Sequence, residues 1–342
     1  MNRKFKYVVC VRCFTYNHCP YIIDALNGFC IQRTTAPFVC TIVDDASTDG
    51  EQEVIKKYLA EHFQAPYQTI ETDNFQLICA NHNNNSNCTF VVFFLKYNHY
   101  RIKESKYQYL SEWLNNSKYT SICEGDDYWV FPNKLQVQVD FLDTNPNISY
   151  ICSRYNILNV NSGTITLAPN FYFDKIENKE KKFFVFQRDT PFLYGWITKT
   201  LTCMYRSVDF DSDYLTRYKY YRDVHLVYSL LSKGDGACFS YIGGVYRINP
   251  SSTFGGKTRL EQASQNYLVY EELYQKTNDK VMREMAMSFY LILFKNRVAG
   301  FRYPHKGLQF RAIFLKWPKS RLNKFFRYIF LMIINWWYYA TI

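Results

Sequence analysis

The order of apolar runs near the amino terminus constrains the fold most. Tyr7 to Val11 reads as a strand, and Tyr21 to Gln32 as a helix with Ile22, Ile23, Leu26, Phe29 and Cys30 on one broad face. Phe38 to Val43 reads as a second strand and Glu51 to His62 as a second helix, with Ser47 or Thr48 as its expected cap. Strand, helix, strand, helix in this order argues for a parallel sheet. The second strand ends at Asp44-Asp45. A later short strand, Tyr119 to Cys123, feeds Glu124-Gly125-Asp126-Asp127. Both acidic words therefore fall at strand ends, where an open α/β sheet collects ligands. Carboxylates gathered there suit a divalent cation and a phosphorylated substrate.

The middle of the chain is less regular. Asn81 to Asn87 is a polar, Asn-rich loop, and Thr89 to Leu95 is an apolar run that fits a strand or an insertion. Tyr107 to Asn115 looks helical. Pro132 suits the first turn of the next helix, whose Leu135, Val139 and Leu142 share a face. Beyond it, Leu215 to Gly234 is expected to include a helix carrying Leu226, Leu230 and Leu231. No internal repeat or long linker interrupts the chain. Its one shift in composition comes near residues 285 to 300, where apolar-basic helices begin.

At 342 residues the chain can bury the core of one large domain, or of one domain plus an appendage. Its 11 cysteines show no repeated CxxC spacing, and Tyr7 to Val11 is too short for a signal's apolar region. Free thiols in a reducing compartment follow, and no zinc site is indicated. The formal net charge of +11 is uneven. Residues 301 to 342 hold eight Lys or Arg and no acid, leaving +3 for everything before them.

The motifs taken together resemble the inverting family 2 glycosyltransferases of the GT-A nucleotide-diphospho-sugar fold. The matching words are Cys13-Phe14-Thr15-Tyr16-Asn17, Val43 to Gly50, Glu124 to Trp129 with Phe131-Pro132-Asn133-Lys134-Leu135, Arg222-Asp223-Val224-His225-Leu226, and Tyr246-Arg247. They span about residues 7 to 250. The nearest resemblance is to bacterial members with a Glu-Gly-Asp-Asp-Tyr-Trp word, which act in surface polysaccharide assembly. It implies a mostly parallel central sheet flanked by helices, with a catalytic domain over 1–255; the helical carboxyl-terminal region expected over 256–342 lies outside the resemblance. One stretch departs from the pattern. Residues 74 to 106 read as an insertion near the donor pocket.

The resemblance also assigns roles. Asp127 is the favoured ligand of Mn²⁺ or Mg²⁺, and Asp126 contacts ribose or metal-bound water; which of the two binds the ion directly stays open. Asp44 and Asp45, beside Thr15, Tyr16 and Asn17, receive the uracil and ribose donors of a UDP-sugar. Carboxylates are acceptors only, as those donors require. Asp223 matches the general base that takes the proton of the acceptor hydroxyl. Each role has a structural rival: the acidic words as caps of the helices behind them, Asp223 as a helix cap, Trp196 as a core residue rather than an acceptor-side platform, and Arg247 as a salt-bridge partner rather than a diphosphate ligand.

The tail from Arg321 to Ile342 is basic first and apolar last, with no charge after Arg327. Its Asn335 to Tyr339 group is dominated by side chains that favour an interface. It reads as an amphipathic helix lying in an anionic leaflet, or as a packing face for the protein's own core or a sister subunit. The expected enzyme is thus cytoplasmic and peripheral on the inner face of the membrane, with a saccharide or lipid-linked saccharide as acceptor. A nucleotidyltransferase on the same sheet wants a Gly- and Lys/Arg-rich triphosphate loop behind the first strand, and Arg12 to Asn17 has neither glycine nor lysine. A non-catalytic carbohydrate- or nucleic-acid-binding protein is the other rival. Nucleic acid is disfavoured, because phosphate is repelled around Asp44, Asp126 and Asp223 unless a cation intervenes.

Overall fold

The computed structural model describes residues 4–175, 182–193, 196–211, 214, 216–249 and 257–298. The first four elements form in the expected order: β1 (Tyr7–Thr15), a helix at Ile22–Cys30, β2 (Phe38–Asp44) and a helix at Glu51–His62. There follow β3 (Gln68–Glu71), β4 (Phe75–Asn81), β5 (Cys88–Leu95), β6 (Ser117–Ile122), β7 (Tyr128–Trp129) and β8 (Ile148–Asn159). The last are β9 (Ile165–Leu167), β10 (Phe183–Phe186), β11 (Met204–Arg206) and β12 (Asp235–Ile248). All join one sheet in the order β10-β12-β8-β11-β6-β1-β2-β5-β4-β3, with β7 on β12 and β9 on β8.

The sheet is mixed, which corrects the expectation of a mostly parallel one. Among the described residues only β1–β2, β1–β6, β2–β5 and β8–β12 pair in parallel. Short connections explain part of the rest. β3, β4 and β5 are joined by loops too short for a crossover, so they pair antiparallel. β11 runs antiparallel between β6 and β8. The stretch 74–106 is likewise no excursion from the fold. It contributes β4 and β5, and β5 lies along β2 from Phe38↔Cys88 to Asp44↔Phe94, buried over nearly its whole length.

Period-two alternation divides the core between the two faces of the sheet. Val9, Val11 and Cys13 of β1, Cys40 and Ile42 of β2, and Phe90 and Val92 of β5 fill one apolar cluster. Cys10, Val39, Val43, Val91 and Phe93 fill the other. The helix Ile22–Cys30 buries Ile22, Ala25, Leu26 and Phe29, a strict i, i+3, i+4, i+7 stripe, and leaves Ile23 exposed. Gly28 on this helix lets β7 approach: a Cβ there would lie 2.8 Å from the Trp129 amide nitrogen. The expected cap of the second helix is corrected too. Gly50, at φ +92°, is its N-cap, a conformation that glycine adopts without penalty.

The chain divides into two compact units, residues 1–215 with 226–249, and residues 216–225 with 250–342. In the second, the helices Arg259–Thr277 and Lys280–Val298 pack on one another, with Tyr270 stacked on Phe289 at 5.6 Å. The first of them opens on a capping box made by Thr258 and Glu261. No helix among the described residues is long and apolar enough to cross a membrane. The basic, apolar tail expected to lie on a membrane falls outside the described residues.

Candidate functional site

β1 and β2 end side by side, with Thr15 opposite Asp44. Each strand is followed by a residue with left-handed backbone, Asn17 at φ 54° and Ala46 at φ 60°. Asparagine tolerates this conformation; alanine is strained in it. The two loops are tied together. The Asn17 amide donates to Ser47 Oγ (2.9 Å), the Thr48 amide to Asn17 Oδ1 (2.8 Å), and the Cys19 amide to Asp49 Oδ2 (2.9 Å). Glu51 is the knot. Its fully buried carboxylate accepts from Thr15 Oγ1, the His18 amide (2.8 Å) and Ser47 Oγ (2.9 Å). Burial pushes its pKa up, against the pull of these donors. Tyr16 is half-buried and Asn17 exposed on the same rim.

Asp44 and Asp45 are both buried but differently used. Asp45 Oδ1 accepts from the His99 amide (2.6 Å), and its Oδ2 accepts from the Tyr100 amide (3.3 Å) and Lys106 Nζ (2.8 Å). It thereby pins the segment 98–106 to the end of β2. Asp44 Oδ1 accepts from the Ser47 amide (3.1 Å) and from Gln52 Nε2. Its Oδ2 has no hydrogen-bond partner among the described residues. Burial raises the Asp44 pKa.

The second acidic word continues alongside β1. The Cys123 amide donates to the Arg12 carbonyl and the Gly125 amide to the Phe14 carbonyl, each at 3.1 Å. Glycine is required at 125, because a Cβ there would lie 2.2 Å from Thr15 Oγ1. Glu124 is fixed by the Phe14 amide (2.8 Å) and by buried Arg12, which also donates to the Tyr107 hydroxyl. Asp127 is buried, and its Oδ1 accepts the Arg247 amide (2.8 Å). Burial drives the Asp127 pKa well above the ordinary range, and the neighbouring Asp126 charge adds to it. Asp126 is half-exposed, 3.9 Å from His18 Nε2.

Arg247 is nearly buried and committed to the protein. It donates to the Asp126 carbonyl (2.8 Å) and to Asp24, and its guanidinium lies 4.5 Å from the Tyr128 ring centroid. β12 delivers it there, because β7 pairs with β12 at Gly244↔Trp129 and Val245↔Tyr128.

These contacts join Thr15, Asn17, Asp44, Asp45, Asp126, Asp127 and Arg247 in one network at the carboxyl ends of β1 and β2 and in the loop after β6. Trp196 packs against another apolar cluster, its ring 6.0 Å from Phe192. Asp223, in the other compact unit, is exposed and is the first residue of the helix Asp223–Leu231. Its neighbour His225 is buried against Tyr218 at 4.2 Å, and burial lowers its pKa to about 4, so it is neutral at pH 7. Packing describes His225 well.

Sequence reading passed over Glu51, His18 and Lys199. Glu51 opens a helix and looks like an ordinary first-turn acid; only its position below three donors distinguishes it. Lys199 lies 3.5 Å from the Tyr246 ring centroid, and its charge pulls the Asp127 pKa down, in part offsetting burial. The network thus offers buried acceptors, one of them without a hydrogen-bond partner among the described residues, beside the desolvated carboxylate of Asp127. That suits ligands carrying N–H donors and a counter-charge.

No protein-family model matches the chain. Uncharacterized proteins of Mycobacterium tuberculosis and Mycobacterium bovis are 33% identical to it over 132 residues, 39% of this chain and 30% of each relative. The match therefore spans less than a third of those relatives' length. In fold the chain distantly resembles Staphylococcus aureus TarS 1-349 in complex with UDP-GlcNAc, with a TM-score of 0.48 and 16% identity over 96% of this chain and 81% of that one. It has a similar distant likeness to the mannosyltransferase PcManGT of Pyrobaculum calidifontis in complex with GDP-Man and Mn²⁺. There the TM-score is 0.47 and the identity 12%, over 98% of this chain and 88% of that one.

Proposed function

We propose that the chain is an inverting glycosyltransferase of GT-A type that moves a sugar from a UDP-sugar to a saccharide or lipid-linked saccharide in surface polysaccharide synthesis. The observation that carries this reading is the buried Asp127 beside Asp126, in a network of strand-end contacts that also includes an oxygen of Asp44 with no hydrogen-bond partner among the described residues. Asp44 Oδ2 would accept an N–H of the nucleotide, and Asp45 would hold the segment 98–106 beside it. Arg247, already bound to Asp24 and the Asp126 carbonyl, would keep the acidic loop in place rather than grip the diphosphate.

Asp126 and Asp127 fit a Mg²⁺ or Mn²⁺ ion. A desolvated carboxylate next to a second one is relieved by a cation. Among the described residues no group of three or more His, Cys, Asp or Glu side chains is arranged to hold a metal, so substrate phosphates would complete the set. Such an ion neutralises the charge of the departing diphosphate. Asp223 would take the proton of the acceptor hydroxyl as that oxygen attacks C1 from the face opposite the diphosphate. The tail beyond residue 320 would hold the enzyme on the inner face of the cytoplasmic membrane.

Thermal melting with UDP-sugars and GDP-sugars, each with and without Mn²⁺, tests the reading. A UDP-sugar at about 100 times its Kd stabilises by about 2.7 kcal/mol, a rise of about 5 °C or more for a domain of this size. The rise is expected with UDP-sugars and to depend on Mn²⁺. An unchanged melting temperature with every nucleotide-sugar would sink the proposal; a Mn²⁺-dependent rise with GDP-sugars alone would move it to another donor.

A further inference from the structure

A cavity of about 510 Å³ opens on the far side of β2 from β1. Ligand pockets commonly have about 300–1,000 Å³. Its walls come from the loop after β2, the helix Glu51–His62, the β3–β4 hairpin and the end of β5. Strand register ties it to the candidate site. Thr15 stands opposite Asp44, Asp44 opposite Phe94, Phe94 opposite Gln76, and Gln76 opposite Glu71. Residues in one such row project from the same face of a sheet. The row therefore begins in the candidate site and ends in the cavity. Gln52, on the cavity wall, donates its side-chain amide to Asp44 Oδ1.

The lining has a definite charge balance. Lys96 Nζ is paired with Glu71 at 2.7 Å and cancels it. Lys56, one helical turn after Gln52, has no hydrogen-bond or ion-pair partner among the described residues, and its Nζ lies 5.0 Å from the Phe94 ring centroid. The lining thus carries one positive charge in excess, two lysines against Glu71, whose carboxylate both of them favour. Around Lys56 stand Gln52, Gln76 and Thr48, which donate and accept hydrogen bonds as sugar hydroxyls require.

We propose that this cavity is a second ligand site, for a sugar carrying a single phosphate or carboxylate group, with Lys56 as its anion contact. Gln52 connects an occupant to Asp44, so the site lies one hydrogen bond from the nucleotide end of the cleft. The site itself does not rest on the glycosyltransferase reading, and its test is separate. Calorimetric titration of the full chain with glucose 1-phosphate, glucuronate, glucose and inorganic phosphate is the experiment. At least one of the two anionic sugars is expected to bind saturably, at least tenfold more tightly than glucose or inorganic phosphate. Lys56→Gln is expected to weaken that binding at least tenfold while leaving the melting temperature and the Mn²⁺-dependent response to UDP-sugars in place. Absence of saturable binding by either anionic sugar would overturn the proposal. So would equal binding of glucose or phosphate, or equal affinity in Lys56→Gln. Loss of the nucleotide-sugar response alone, with anionic-sugar binding intact, would count only against the proposed transfer activity.

Discussion

Asp44-Asp45 and Asp126-Asp127 look interchangeable as text, yet the fold uses the four carboxylates in four ways. In the first pair Asp45 is saturated by two backbone amides and Lys106, while Asp44 keeps one oxygen without a partner. In the second Asp127 is buried on a single backbone amide, while Asp126 stays half-exposed near His18. The first pair therefore has one member that secures the chain and one that is less encumbered. In the first pair the second residue does the securing. In the second pair Asp127 is both a tether for Arg247 and a carboxylate whose pKa burial drives well above the ordinary range, so on the proposed reading it has much to gain from a cation.

The largest expected effect breaks this comparison at Asp127. Asp127→Asn keeps an oxygen for the Arg247 amide and removes the charge. Sugar transfer is expected to fall about 10³-fold or more, from loss of several kcal/mol of cation-assisted charge stabilisation. Calorimetry should show UDP-sugar binding that no longer responds to Mn²⁺. Stability should move the other way. The folded pKa is raised above the unfolded value, so the native state holds this proton more tightly and loses stability as pH rises through that range. Without cation, Asp127→Asn should melt above the parent at pH 7, and the gap should close towards pH 4. A lower melting point at pH 7 would mean that the carboxylate is a net structural asset.

Asp223→Asn provides the contrast from the other compact unit. Loss of a general base costs about 10²–10⁴-fold in rate, whereas loss of a helix cap costs about 1 kcal/mol of stability. Slow transfer with donor binding and melting nearly intact is expected; parental turnover would reduce Asp223 to a helix-end residue.

Within the first pair, Asp45→Ala strands Lys106 and two amides. A loss of about 2 kcal/mol or more is expected in urea unfolding, with faster amide exchange confined to residues 98–106. Asp44→Asn, by contrast, should change stability by less than about 1 kcal/mol, since its carboxylate is already disfavoured by burial. Equal losses for the two variants would erase the distinction drawn between them. Gly125→Ala comes between, at about 1–3 kcal/mol from overpacking against Thr15, measured in the same unfolding experiment.

Much of this was legible because it is local. The stripe on the helix Ile22–Cys30 and the alternation along β1 and β2 follow from the periods of the two backbones, and the acidic words follow their strands directly. Arg247 is the counter-example. The sequence left it between a diphosphate ligand and a salt-bridge partner, and β7–β12 pairing brings it to Asp24 and Asp126, residues more than a hundred positions away.

What the amino-acid sequence determined by itself was the run of strands and helices and the placing of acids at strand ends, since helical and extended periods and turn residues act over a few positions. Only the tertiary structure decided which strands pair antiparallel, that 74–106 belongs to the sheet, and that Glu51 knots the two loops together. It alone also made Asp45 a tether and left Asp44 one free oxygen. These outcomes depend on burial and on donors from distant segments. A carboxylate's role is set by the groups that surround it, and no local pattern records them.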